Sequence, residues 1–386
     1  MFRSFGFISA IIIIVSNLFS QNSCPIILIH GFLGWGRDEM NDYYYWGGRT
    51  DLEDILRTEG NEVYTVSIGP ISPNFDRAIE TFYQIKGGQV DYGDEKTERF
   101  GIVQRPPNKH YMGLYPDWDA DHPVHIIAHS QGGQTARMLE ILLKNSLPEE
   151  VSPLLSNEYR GWIKSITTIS TPHNGSTLVP IMLDVFPFAL NLAPWFGGID
   201  IENIDNFFSF DLEQWGVERL PGESLVKYYR RIGDSPLVES KNLCSWDLSP
   251  EGATEFNNTY KTDPDVYYFS FSTYATRREN NKTTHRPDSK MSFHLWSTSY
   301  LIGHSKDVPD STWYENDGIC NTISMTHPAG SPVKTFDGSS KKGVWQFAGK
   351  LHMDHEAVIG HLVSKKEFES TIVLYNKHAR LLASLK

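Results

Sequence analysis

Short apolar runs recur along the chain, and several of them contain no alternating polar residues. Pro25–His30, Val63–Val66, Val124–Ala128, Ile163–Ile169 and Val266–Phe271 are rich in Val, Ile and aromatic residues. Runs of this length predict strands, and an unbroken apolar run is typical of a strand buried on both faces. The pattern therefore predicts a sheet that is covered on both sides.

Helical patterns alternate with these predicted strands. We predict one helix from about Gln134 to Lys144 and another from Glu367 to Leu385. Alternating strands and helices favour a parallel sheet flanked by helices. No repeat or low-complexity linker divides the chain, so we expect a single α/β domain over residues 21–386 with a mostly parallel central sheet.

The first 20 residues have the pattern of a secretory signal peptide. Arg3 precedes an apolar stretch centred on Ile11–Val15, and small or polar residues follow. This apolar core is shorter than the roughly 20 residues that a membrane-spanning helix needs. We therefore predict a signal peptide over residues 1–20 and a secreted, extracellular protein. A buried N-terminal helix or an uncleaved anchor is the alternative.

Composition excludes some partners and selects none. The net charge of −12 argues against nucleic acid, which requires a basic face, and against strong attachment to anionic membranes. After the predicted signal peptide, no apolar stretch resembles an uninterrupted transmembrane helix. Three cysteines, Cys24, Cys244 and Cys320, allow at most one intramolecular disulfide, and none has metal-ligand spacing.

The segment Ile126–Gly133 carries the main chemical signal. An apolar strand leads into Ser130, with the small residues Ala128 and Gly132 two positions away on either side. In a nucleophile elbow the serine occupies a strained strand-to-helix turn that admits only small residues at these positions. We therefore predict that Ser130 is a catalytic nucleophile. An ordinary glycine-containing turn between a strand and a helix is the alternative.

The segment after the first predicted strand suggests an oxyanion hole. Enzymes with a nucleophile elbow take one donor from a loop after an early strand, and the second from the residue after the serine. His30 and Gly31 begin such a loop here. We therefore assign the donor role to the backbone amides of Phe32 and Gln131. On its own, the loop could equally be a glycine-rich turn at a strand end.

The acid and the base should follow the serine in the chain, in that order. Asp317 lies at a glycine-containing turn, and His355 lies in a polar loop before an apolar run. A neutral histidine can accept the serine proton, and an acid can hold its tautomer. Spacing alone does not settle the choice. The competing residues are His327, His352 and His361 for the base and Asp310 for the acid.

Longer strings match a known family along nearly all of the chain. They are Pro25–Phe32, Gly34–Arg37, Tyr45–Gly48, Val90–Gly93, His125–Met138, Thr167–His173, Gln214–Gly216, Pro221–Ser224, Glu315–Ile319 and Lys342–Trp345. On these strings the chain resembles the bacterial true lipases of the Geobacillus and staphylococcal type, which have the α/β-hydrolase fold. The resemblance implies a triacylglycerol lipase and selects Asp317 and His355 as partners of Ser130. It also supports the amides of Phe32 and Gln131.

The metal sites of this family are not expected here. The resemblance implies zinc held by two aspartates and two histidines, and Asp76 and Glu213 match the aspartate positions. The family insertion, at about residues 76–100, is shortened and has no histidine, and two carboxylates alone make a poor zinc site. Ala357 replaces a calcium-binding glutamate. We therefore predict no metal and no other cofactor, with Asp76 and Glu213 as ordinary hydrogen-bonding carboxylates.

The apolar segment Leu178–Phe196 lies where this family has its lid, and it contains a single charged residue. We expect a lid at about residues 176–200, which would open at an oil–water interface. A core helix broken by prolines is the alternative. The expected function is hydrolysis of acylglycerol esters through an acyl-enzyme. A phospholipase A1, a broad carboxylesterase and a catalytically silent lipid-binding relative remain as alternatives.

Overall fold

The computed structural model of the chain describes residues 22–147, 149–185, 211–217, 219–224, 227, 228, 231 and 241–386. The predicted signal peptide lies outside these residues, and so do residues 186–200 of the predicted lid. Among the described residues, none of the helices is both long and apolar enough to cross a membrane.

In the described part of the chain, seven strands form the central sheet, and four short strands form two separate pairs. The strands are β1 (Ile26–Ile29), β2 (Val63–Thr65), β3 (Gly88–Gln89), β4 (His110–Tyr111), β5 (Val124–His129), β6 (Ile163–Ile169), β7 (Tyr267–Thr273), β8 (Thr276–Arg278), β9 (His285–Pro287), β10 (Val333–Thr335) and β11 (Trp345–Leu351). The sheet order is β10-β11-β7-β6-β5-β1-β2, and each neighbouring pair is parallel.

Helices flank this sheet. They are α1 (Leu52–Thr58), α2 (Asn74–Lys86), α3 (Asp94–Phe100), α4 (Gln131–Lys144), α5 (Leu178–Val185), α6 (Cys244–Leu248), α7 (Pro250–Thr259), α8 (Trp296–Gly303) and α9 (Lys365–Ala383). The predicted α/β class, with a parallel sheet between helices, is thus confirmed. The predicted lid overlaps α5, but its function is not tested by this architecture.

The strand β1 shows why its sequence has no polar alternation. Ile26 and Leu28 belong to one buried cluster, which also contains side chains of α1 and α9. Ile27 and Ile29 belong to a second cluster, with side chains of α2 and α4. Since a fully buried aliphatic side chain contributes roughly 1.5–3 kcal/mol, both faces of the strand stabilise the fold.

The structure differs from the predictions at the start of both predicted helices and in six strands that were not predicted. Helix α4 begins at Gln131, directly after Ser130, whereas the sequence predicts a start near Gln134. Helix α9 begins two residues before the predicted start, where Ser364 and Glu367 form a capping box. Of the strands that were not predicted, β10 at the edge of the sheet and its neighbour β11 consist mostly of half-buried or exposed residues and are not continuous apolar runs. The other four, β3, β4, β8 and β9, have only two or three residues each.

The order of the strands decides where a site can form. Strand β1 lies between β2 and β5. After β1 the chain continues to β2 at one edge of the sheet, whereas after β5 it continues to β6, which lies in the opposite direction along the strand order. Parallel α/β sheets bind ligands at such a switch point, outside the carboxyl ends of the strands. The segments after β1, β5, β7 and β11 all lie at this edge.

Candidate active site

Ser130 occupies a strained turn between β5 and α4. Its backbone has φ 56° and ψ −130°, a conformation that residues other than glycine rarely adopt. A β-carbon added at Gly132 would lie 2.4 Å from the Ile29 carbonyl oxygen, and one added at Gly31 would lie 2.6 Å from Cβ of Ser130. The turn therefore requires glycine at position 132, as expected of a nucleophile elbow, and the neighbouring loop after β1 requires it at position 31.

The three residues predicted as a catalytic triad lie in direct hydrogen-bond contact. Oγ of Ser130 is 2.9 Å from Nε2 of His355, and Nδ1 of His355 is 2.7 Å from Oδ2 of Asp317. All three side chains are buried, with Ser130 5% exposed. This arrangement allows the imidazole to take a proton from the hydroxyl while the carboxylate stabilises the imidazolium.

Three groups besides His355 donate hydrogen bonds to the carboxylate of Asp317. Its Oδ1 accepts hydrogen bonds from the amides of Ile319 at 3.1 Å and Cys320 at 2.8 Å. Its Oδ2 also accepts one from the hydroxyl of Thr273 at 2.6 Å. Sequence reasoning missed Thr273, since a threonine at the end of a buried strand carries no local signal of such a contact.

The environment of His355 favours its protonated form. Burial alone would lower its pKa, but the charge of Asp317 and the hydrogen bond to it outweigh burial, so the pKa lies above the ordinary value. The backbone amide of His355 also donates to the Asp317 carbonyl oxygen at 2.9 Å. The acid therefore fixes both the backbone position and the protonation preference of the histidine.

The competing acid and bases have other partners. His352 contacts Asp288 at 2.8 Å, and Nε2 of His361 lies 2.8 Å from the Tyr45 carbonyl oxygen. The other two residues are similarly engaged: Nδ1 of His327 contacts the Thr326 hydroxyl, and Asp310 caps a short 3₁₀ turn. The geometry thus distinguishes Asp317 and His355 among the residues that spacing alone left open.

The amides predicted to form the oxyanion hole belong to the residue after Ser130, which is Gln131, and to the residue after Gly31, which is Phe32; Gly31 itself packs against Ser130. Gln131 is the first residue of α4, so its N–H has no acceptor within the helix and lies at the positive end of the helix dipole. Phe32 follows Gly31 in the loop after β1. The amide after Phe32, that of Leu33, donates to the Pro70 carbonyl oxygen at 2.9 Å, which ties this loop to the segment after β2.

A buried arginine supports the same loop. Nη2 of Arg77 donates to the His30 carbonyl oxygen at 2.5 Å, and its Nη1 donates to the Gly69 carbonyl oxygen at 2.7 Å. Burial lowers the pKa of Arg77 to about 10, so it stays charged at neutral pH. No local pattern distinguishes Arg77 from the other basic residues, because its role depends on contacts between distant segments.

The carboxylates at the family's zinc positions contact lysines. Asp76 pairs with the buried ammonium of Lys96, while Lys109 lies 2.8 Å from Glu80 and 3.7 Å from Glu213. Burial lowers the pKa of Lys96 to about 7, and the charge of Asp247 opposes this shift. Lysine amines thus already lie beside these carboxylates, so these residues do not fit a zinc site.

One other group has metal-ligating side chains close together. Among the described residues, Asp317, Cys320 and His355 are the only such group, and two of them belong to the triad. Burial and the nearby Asp317 raise the pKa of the Cys320 thiol well above its ordinary value. A protonated thiol is a poor metal ligand, so this group also does not fit a metal.

Comparison with known proteins relates this chain to a protein family. Residues 22–376 match the family model described as "Lipase-like, C-terminal domain". Over 358 residues the chain is 35% identical to Lipase 1 of Staphylococcus aureus, an alignment that covers 88% of this chain and 51% of that protein. The chain thus spans about half the length of the curated relatives it matches.

Solved structures support the same relationship. The structure of EstA from Clostridium botulinum matches with a TM-score of 0.86 and 34% identity, covering 96% of this chain and 90% of that chain. The Staphylococcus hyicus lipase matches with a TM-score of 0.81 and 32% identity, covering 94% and 96%. These similarities confirm the predicted resemblance and the predicted fold class.

The raised pKa of His355 predicts how turnover depends on pH. Only the neutral imidazole can accept the serine proton, so kcat/KM should fall as the pH drops through an apparent pKa above 6.5. Asp317→Asn removes the charge that raises this pKa, so the acid limb should move to lower pH and kcat should fall about 10³- to 10⁴-fold. Profiles on a soluble ester test this, and an acid limb unchanged in Asp317→Asn would contradict it.

From the Lys96–Asp76 pair we predict that the free energy of unfolding depends on the lysine side chain and not on a bound metal. Lys96→Met should lower the free energy of unfolding by roughly 3–5 kcal/mol, because it leaves a buried carboxylate without its cation. Lys366→Met, at an exposed position of α9, serves as the matched control and should have little effect. Urea unfolding with and without EDTA measures both effects. A wild-type protein destabilised by EDTA would refute the interpretation.

Proposed function

The chain belongs to the family of lipase-like C-terminal domains, and from this membership we propose that it is a triacylglycerol lipase with Ser130, Asp317 and His355 as its catalytic triad. The observation that carries this proposal is the continuous hydrogen-bonded line from Asp317 through His355 to Ser130 on a strained turn. Each member of that line has the chemical character that its role in ester hydrolysis requires.

The reaction proceeds in two halves. Oγ of Ser130 attacks the ester carbonyl carbon while Nε2 of His355 takes the hydroxyl proton, and the amides of Phe32 and Gln131 stabilise the negative oxygen of the tetrahedral intermediate. His355 then gives the proton to the leaving alkoxide, which leaves an acyl-enzyme. A water molecule repeats the attack, and the fatty acid is released.

The residues that follow Asp317 pack in an apolar cluster, which supports a lipid substrate. Leu178, at the start of α5, shares a buried cluster with Ile319 and Cys320, which follow Asp317. The segment from Leu178 to Phe196 contains a single charged residue. We assign it the role of a lid that covers the site in water and admits acyl chains at an oil–water interface. Exclusion of water would also strengthen the oxyanion contacts.

A substrate panel tests the function. The purified protein should hydrolyse a long-chain triglyceride emulsion faster than a short soluble ester or phosphatidylcholine, and Ser130→Ala should abolish all hydrolysis and all labelling by a fluorophosphonate probe. Ser370→Ala, at an exposed position of α9, is the matched control and should retain full activity. Preference for phosphatidylcholine would indicate a phospholipase A1, and preference for short esters a carboxylesterase.

A protein that acts on none of the three substrates would instead be a catalytically silent lipid-binding relative. Retention of probe labelling in Ser130→Ala would show that another residue is the nucleophile. Either result would refute the assignment of Ser130.

We assign this activity to the outside of the cell. The support is the sequence of residues 1–20, with one early positive charge, a short apolar core and small or polar residues after it. Expression of the full chain in a secreting host should release a protein that begins near Gln21, as measured by N-terminal sequencing of the culture medium. Retention of the intact chain in the membrane fraction would show an uncleaved anchor instead.

A further inference from the structure

The residue before the nucleophile has a side chain that the triad does not use. His129 ends β5, is buried, and has its ring centroid 4.7 Å from that of His355. Its Nε2 is 3.0 Å from the carbonyl oxygen of His355, and its Nδ1 is 2.6 Å from the hydroxyl of Tyr45. The same hydroxyl is 2.8 Å from the amide nitrogen of Gly31. These contacts form a bridge from His355 to the loop of the predicted oxyanion hole.

The bridge ends at the carbonyl oxygen of His355 and at the amide of Gly31, and these two groups determine which atom donates in each of its hydrogen bonds. A carbonyl oxygen only accepts, so Nε2 of His129 carries a proton and donates to His355. Burial lowers the pKa of His129 well below the ordinary value, so the ring is neutral and its Nδ1 accepts. Tyr45 must then donate to His129, which leaves its oxygen lone pairs to accept from the Gly31 amide. All four groups are satisfied in this one arrangement.

The packing around Tyr45 leaves its hydroxyl little freedom to move. The ring of Trp35 contacts that of Tyr45 edge-on with centroids 5.4 Å apart, and His361 donates to the Tyr45 carbonyl oxygen at 2.8 Å. On the loop side, a β-carbon at Gly31 would lie 2.9 Å from the Tyr45 hydroxyl oxygen. The hydroxyl therefore sets the distance between the loop after β1 and the strand that carries Ser130.

We propose that Tyr45 and His129 are positioning residues that hold the oxyanion loop in register with the catalytic histidine. Gly31 is bonded to Tyr45, and Phe32, whose amide we assign to the oxyanion hole, is the next residue. The proposal rests on the lipase function proposed above. It goes beyond that function because neither residue touches the substrate or the reacting atoms.

This role has a particular kinetic signature. A loop displaced by a fraction of an ångström would weaken contacts to the negative oxygen of the transition state, whereas ground-state binding of the acyl chain would be unaffected. Loss of the bridge should therefore lower kcat with little change in KM. Simple loss of stability would instead reduce the fraction of folded enzyme, without changing how tightly that folded fraction binds a transition-state analogue.

Tyr45→Phe is the direct test, because it removes only the oxygen that joins His129 to Gly31. We expect kcat on a soluble ester to fall about 10- to 100-fold with KM changed less than about threefold. The inhibition constant of an alkyl boronic acid, which forms a tetrahedral adduct with the serine, should rise by a similar factor. Tyr43→Phe, on the same loop, is the matched control and should leave all three values unchanged.

Two further variants keep the test decisive. His129→Gln, with an amide that can still reach the His355 carbonyl, should show the same kinetic signature even where Tyr45→Phe proves too unstable to assay. Because the bridge acts as a unit, adding Tyr45→Phe to His129→Gln should cost little more than the larger single effect. Thermal melting of each variant measures the fraction of enzyme that is folded at the assay temperature, and kcat is corrected for that fraction.

The outcomes separate this proposal from the lipase assignment. Wild-type protein that hydrolyses no ester refutes the proposed function. Active wild-type protein, with Tyr45→Phe within about twofold of it in kcat and in boronic acid affinity, refutes the bridge alone. Fully additive losses in the double variant would likewise show that Tyr45 and His129 act separately.

Discussion

The left-handed backbone at Ser130 is the constraint on which the rest of the site depends. This conformation is stable only because β5 and α4 are both held by the core, since a residue with positive φ other than glycine costs of order 1–3 kcal/mol. It brings the backbone of Gly132 against the end of β1 and brings Ser130 against Gly31. Ser130 and the loop after β1, which we propose as nucleophile and oxyanion loop, are therefore placed by the same contact between two neighbouring strands.

The electrostatic side of the site follows from burial. Asp317 is fully buried, and a carboxylate in that environment requires several hydrogen-bond donors in place of water. Two amides, the Thr273 hydroxyl and the His355 ring provide them. Because these donors come from the Asp317 turn, from the end of β7 and from the loop after β11, the acid also joins the carboxyl ends of two strands. The same hydrogen bonds thus replace water around the carboxylate and set the relative positions of the segments after β7 and β11.

The sequence predicted the parts of this structure that local patterns determine. Buried parallel strands are unbroken apolar runs, and a nucleophile elbow needs small residues at fixed spacing, so β1, β5 and Ser130 could be recognised directly. The choice of Asp317 and His355 needed the family resemblance, because their pairing is made only by the tertiary fold. Arg77 and Thr273 had no signal at all. The strand β11 was missed because its residues are mostly half-buried and do not form an apolar run.

Two buried lysines lie beside the carboxylates at the positions where the family resemblance implies a bound zinc ion. A bound metal stabilises the folded state by an amount that depends on its concentration relative to its dissociation constant, whereas a lysine side chain is part of the chain and needs no supply from solution. Lys96 connects α3 to Asp76 on α2, and Lys109 connects the segment after α3 to Glu80 on the same helix. Helix α2 also carries Arg77, which holds the loop after β1. The position of the loop after β1, whose Phe32 amide we propose for the oxyanion hole, is therefore connected to these ion pairs through helix α2.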